Sequence, residues 1–193
     1  MLRPVQIAAP AEAPVSLGEA KAHLNVDHDD DDTLITSLVG AAVAHLDGHA
    51  GVLGRCLVNQ QWRQDYRDWH WFHRLPFPDV SAVTVKYQDA DNQEQTVSSA
   101  LYELIEDARG ALVSFRDVFT KPGLYDDMIA PVNITLTAGF GAADDVPQAL
   151  KQAILLLVGH WYENREAVNI GNITTELPMA VNAPISPFRR VSV

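Results

Sequence analysis

The part of this chain that most limits what it can fold into is its end. Thr137-Ala138-Gly139-Phe140-Gly141 leads through Asp144, Asp145, Val146 and Pro147 into a long apolar segment closing on His160-Trp161-Tyr162-Glu163-Asn164-Arg165-Glu166. Leu150, Ala153, Ile154, Leu157 and Trp161 recur at the spacing of one helical face. They predict a helix opened by the two aspartates, with Pro147 in its first turn, where a missing amide costs nothing. It runs to about Arg165, roughly 28 Å at the standard rise. Leu155, Leu156 and Val158 widen the apolar stripe, so a second face is buried either within the fold or against another subunit. Beyond it, Ile170, Ile173, Leu177, Met179, Val181, Ile185 and Phe188 are spaced irregularly among prolines. That pattern predicts an extended tail that docks on a partner and has no place inside its own chain.

Ahead of this end the pattern changes twice. Residues 1–15 read as an extended lead-in. Ser16 and Glu19 fit a capping box for a short helix to about Leu24. The run Asp27 to Asp32 opens a second helix, where Leu34, Ile35, Leu38, Val39, Ala42, Val43 and Leu46 share a face and Gly51 and Gly54 mark the end. From Cys56 the period is two. Val58 to Tyr66, Val83 to Tyr87, about Glu94 to Val97, Tyr102 to Ile105, Ala111 to Phe115 and Val132 to Ala138 read as strands, with turns at Asp89–Asn92 and Asp107–Gly110. The expected fold is α+β: a helical bundle formed by the N- and C-terminal helices, a β-rich insertion in the middle and an extended C-terminal tail. The parts are residues 1–55, 56–142, 143–167 and 168–193.

Composition excludes several functions. The net charge is −11 and the basic residues are scattered, so specific binding to a phosphate backbone is not expected. An acidic wall would instead let DNA slide past. One cysteine, Cys56, excludes an internal disulfide. No apolar run approaches a membrane span, and the N-terminus lacks a signal-peptide core. The expectation is a soluble protein made in the cytoplasm.

Candidate chemistry is thin. His45 and His49 stand at the i, i+4 spacing of a metal pair, but the intervening glutamate of a zinc protease is missing. His70 and His73 have no evident third ligand. The run Asp27–Asp32 lacks the glycine and spacing of a calcium loop and reads as a helix-capping turn. Cys56 has no base nearby, and Thr137–Gly141 lacks a phosphate-loop lysine and reads as a flexible glycine corner between strand and helix. The aromatic residues from Trp62 to Phe77 suit packing in the core or at a subunit interface.

Taken in order, several blocks resemble the head–tail connector (adaptor, or head-completion) proteins of long-tailed phages, prophages and gene transfer agents. They are Val15-Ser16-Leu17 through Ala20-Lys21-Ala22-His23-Leu24, the helix start from Asp29 to Leu38, Gln61-Trp62, Leu75-Pro76 with Val83, Val85 and Tyr87, Thr137–Gly141, and Val146-Pro147 through to Arg165. The resemblance implies a structural virion protein and no enzyme, with no catalytic residue, metal or cofactor. Such adaptors assemble as a ring beneath the portal, a dodecamer once assembled from a subunit that can be monomeric when free. The ring extends the DNA channel without binding DNA specifically and carries the stopper and tail. The implied location is the virion's head–tail interface, after synthesis in the bacterial host cytoplasm. By this analogy Leu177, Pro178, Val181, Ile185, Pro187, Phe188, Arg189 and Arg190 bind the portal, and Leu155, Leu156, Trp161, Tyr162 and Arg165 meet neighbouring subunits. The competing readings are a small metal-dependent hydrolase using the His and Asp residues between His23 and His49, and a stopper or tail-terminator of the same particle.

Overall fold

The computed structural model describes residues 2–164 and 179–190. It contains both helices and sheets, and the chain divides into two compact units. Among the described residues, one is made of residues 2–11 with Asn59–Gly139, and the other of Glu12–Val58 with residues 140–164 and 179–190.

The first unit is β. β1 (Val5–Ala8), β2 (Gln60–Tyr66), β4 (Val80–Gln88), β5 (Glu94–Thr96) and β8 (Val132–Ala138) form a five-stranded sheet in the order β1-β2-β8-β4-β5. β3 (Phe72–Arg74), β6 (Tyr102–Asp107) and β7 (Gly110–Phe115) form a three-stranded sheet in the order β3-β7-β6. The two hairpins read in the sequence therefore belong to different sheets. β8 is central because Val132, Ile134, Leu136 and Ala138 are all buried while Asn133, Thr135 and Thr137 are half-buried; an alternation of this kind suits a strand flanked on both sides. Trp69 ties the loops to the sheets, with Tyr87, Phe115 and Phe119 edge-on to it at 5.2–5.5 Å and its indole N–H donating to the Pro122 carbonyl at 3.1 Å.

The lead-in at the N-terminus is not free. β1 pairs with β2, Val5 opposite Arg63 and Gln6 opposite Trp62, with a register irregularity before Ala8. The lead-in is extended there as expected, but its pairing was not legible, because a strand of four residues between Pro4 and Pro10 gives too short an alternation to read.

The second unit is helical: α1 (Leu17–Leu24), α2 (Asp32–Leu46), α3 (Gln148–Glu163) and α4 (Met179–Ile185). The Ser16 capping box forms as expected, the Glu19 amide donating to Ser16 Oγ and Ser16 N donating to the Glu19 carboxylate. α2 stops at Leu46, ahead of Gly51 and Gly54: Asp47 turns out of the helix, its carboxylate accepting from Leu57 N at 2.6 Å, and Gly48 follows with a φ of 76°. α3 starts after Pro147, and Ala143–Asp145 form a separate 3-10 turn ahead of it. The core of this unit gathers Ile35, Val39, Ala42 and Leu46 of α2 with Leu150, Ala153, Ile154, Leu157 and Val158 of α3. Among the described residues, no helix is long and apolar enough to cross a membrane.

Candidate functional site

The strongest sequence candidate was the tail, and its described part, residues 179–190, is folded back on the helical unit. α4 is followed by a 3-10 turn, Ser186–Phe188. Val181 and Ile185 are 0% exposed within the helical core. Phe188 sets its ring edge-on to Phe140, centroids 6.2 Å apart, and Arg190 N donates to the Leu53 carbonyl at 2.9 Å. Close packing continues at Gly54, where an added Cβ would stand 3.4 Å from Arg190 Cβ. The extended tail without a partner in its own chain is corrected for these residues. The physical reason is that Val181, Ile185 and Phe188 stand at i, i+4 and i+7, one helical stripe, and the helical core has an apolar face to receive it. Pro187 and Arg189 remain exposed, Arg189 donating to the Asn182 side chain at 3.0 Å. Leu177 and Pro178 lie outside the described residues.

The α3 face is largely committed as well. Leu155, Leu156, Trp161 and Tyr162 are half-buried against the helical core, and the Tyr162 hydroxyl donates to Asp31. Arg165 lies outside the described residues. The wide apolar stripe of α3 is thus used inside the unit by α1, α2 and α4.

The polar candidates fall apart or serve packing. His49 lies past the end of α2 while His45 lies within it, so they do not share a helical face. The acidic turn is organised by Lys21, which donates to Asp29 at 2.6 Å and Asp32 at 2.7 Å. The hydrogen bond and charge of Lys21 hold the Asp29 carboxyl below its ordinary pKa, and these acids raise that of Lys21 in return. His73 is 2% exposed and accepts from the His70 amide at 3.4 Å; burial first, then the charges of His70 and Lys121, push its pKa down to about 4. Among the described residues no three His, Cys, Asp or Glu side chains gather as a metal set. Gly139 and Gly141 take positive φ angles of 142° and 133°, and a Cβ on Gly141 would stand 2.2 Å from the Asp145 carboxylate. The glycines make the corner possible, as expected of a strand-to-helix turn.

A feature the sequence reading did not single out is where apolar surface remains. Trp71 and Phe72 are 55% and 58% exposed, flanking an open cavity of about 480 Å³ lined also by Tyr66, Arg67, His70 and Arg74. Lys121 lies over the Trp71 ring, 4.8 Å from its centroid. Leu2, Val5, Ile7, Val118, Met128 and Ile129 are exposed too. All belong to the β unit. The helical unit shows no exposed large apolar side chain among its described residues.

Three comparisons bear on this arrangement. The family model described as the phage gp6-like head-tail connector protein matches residues 14–109 and 100–189. No curated protein matches the chain. Among solved structures, a chain from the neck of an empty gene transfer agent particle computed with C6 symmetry has a TM-score of 0.79 and 24% identity, covering 100% of this chain and 97% of its own. A chain from the virion of a native gene transfer agent particle (TM-score 0.78) and one from the neck of a native particle computed with C12 symmetry (TM-score 0.77) share that identity and coverage. At this identity the structures establish a common fold.

Proposed function

Because the chain belongs to the family of phage gp6-like head–tail connectors, we propose that it is a structural virion protein that forms a ring beneath the portal, extends the DNA channel and carries the stopper and tail. The family match over most of the chain carries this reading. Its fold likeness to neck components computed with sixfold and twelvefold symmetry supports a ring, with twelve copies as the proposed number. An acidic net charge of −11 suits a channel wall that does not hold DNA. A stopper or terminator position and a hydrolase are the competing readings, and no observation favours either.

The portal contact is proposed to involve Leu177, Pro178, Val181, Ile185, Pro187, Phe188, Arg189 and Arg190, and subunit contacts Leu155, Leu156, Trp161, Tyr162 and Arg165. The seating of the tail divides the first set. Pro187 and Arg189 are presented to a partner as the chain stands, whereas Val181 and Ile185 would first have to leave the helical core. Co-sedimentation with the cognate portal, followed by electron microscopy, tests the reading. The full chain is expected to bind as a ring, a chain ending at Glu176 to lose binding, and Arg189→Glu, which leaves the apolar seat intact, to weaken it. Binding unchanged by both alterations would remove the tail from the portal contact. No binding by the full chain would overturn the connector reading.

A further inference from the structure

A strand at the margin of a sheet offers unpaired amides and carbonyls to any other chain, and proteins guard such margins with charge, proline or brevity. The β unit has four margins, β1 and β5 in one sheet and β3 and β6 in the other. Three carry charged residues: Glu94 on β5, Arg74 on β3, and Glu103, Glu106 and Asp107 on β6. β1 carries none. Its residues Val5-Gln6-Ile7-Ala8 are all exposed, Val5 by 46% and Ile7 by 47%. Among the described residues, no strand lies along its outer side.

We propose that β1 pairs with β5 of a second copy of this chain, so that five-stranded sheets join edge to edge around the ring. The inference rests on the connector reading and adds a subunit contact to it. Each neighbouring pair in the order β1-β2-β8-β4-β5 is antiparallel, so β1 and β5 run in the same direction at opposite margins of one sheet. Copies related by rotation about an axis along the strands bring one margin against the other as a parallel pair. A contact between two different surfaces of this kind closes into a ring where its rotation divides the full turn and grows into an open filament where it does not, whereas a surface meeting itself stops at a dimer.

Charge agrees with this pairing. Arg3, two residues before Val5, makes no ion pair among the described residues, and neither does the carboxylate of Asp91, three residues before Glu94. Parallel pairing brings that cation and that acid to the same end of the junction. Pairing β1 with β1 would run antiparallel and would offer Arg3 no acid from β5.

The test places one thiol on each margin of the full chain, Ile7→Cys and Gln95→Cys. The native Cys56 is buried, so the added thiols are the ones open to reagent. A short bismaleimide is applied in solution and to material sedimented with the portal. The double variant is expected to give a ladder of linked copies and neither single variant to do so. Adding Val5→Lys is expected to abolish the ladder while the circular dichroism of the β unit is kept. Dimers from Ile7→Cys alone would mean that β1 meets β1 and would overturn the proposal. Absence of a ladder in both settings would overturn it as well. Portal co-sedimentation separates the two failures: binding without a ladder removes only the strand pairing, and a ladder without binding removes only the connector reading.

Discussion

His73 shows how one side chain links packing to solution behaviour. It is ringed by Tyr66 at 4.3 Å and Phe115 at 5.8 Å between centroids, so a charge there would be poorly solvated. Its pKa falls to about 4 in the folded chain, against about 6.5 when unfolded. Between those values the unfolded chain binds the proton and the folded chain does not, so stability decreases as the pH falls through this window. The loss approaches about 3 kcal/mol by pH 4. Urea midpoints measured from pH 7 to pH 4 are expected to drop accordingly, and His73→Phe to flatten that part of the curve. The sequence displayed the His70–His73 spacing but could not show that the His73 ring nitrogen accepts an amide proton and is walled by aromatic rings. At Gly139 and Gly141 the reading was direct, because a strand-to-helix corner asks for residues that tolerate positive φ.

At the scale of elements, legibility followed length. The core face of α2 and the whole of β8 could be read because each repeats a period several times, and the capping box because Ser16 and Glu19 form a compact local signature. α4 spans only seven residues and includes Pro184. Isolated helices of that length do not persist on their own propensity, so α4 exists through Val181 and Ile185, and the signal was the i, i+4, i+7 set that continues to Phe188. Ile185→Ala is expected to cost about 2–5 kcal/mol, the usual range for such a buried truncation. The cost should appear as lost hydrogen-exchange protection across residues 179–190, with the β8 amides unchanged. Equal loss in both places would show that the tail is integral to the entire fold. The wide stripe of α3 left open whether a second buried face lay inside the fold or outside it. Contacts with α1, α2 and α4 use much of it within the unit.

At the scale of the whole molecule, the α+β class and the connector family could both be read from ordered blocks spread over nearly the full chain. The partition of strands between two sheets could not, since alternation reports which face of a strand is buried and not which neighbour it takes. Nor could the concentration of exposed apolar side chains in the β unit be seen, because exposure follows from packing that no local pattern encodes.

After its first stretch, residues 2–11, the chain re-enters the β unit after Val58 and leaves it before Phe140, and at that crossing Phe140 N donates to the Leu57 carbonyl at 3.0 Å. Entrance and exit are therefore neighbours, like two leads of one socket. Between them the helical unit senses only a closure, and the free energy of closing a loop grows slowly with its length. A chain beginning at residue 12, with residues 59–139 replaced by a short glycine-serine bridge, is expected to fold into the helical unit with cooperative thermal unfolding. Loss of that cooperativity would show that the two units are thermodynamically one. If the bridge is tolerated, what hangs from the socket can be enlarged, trimmed or exchanged between relatives without rethreading the helices that hold it.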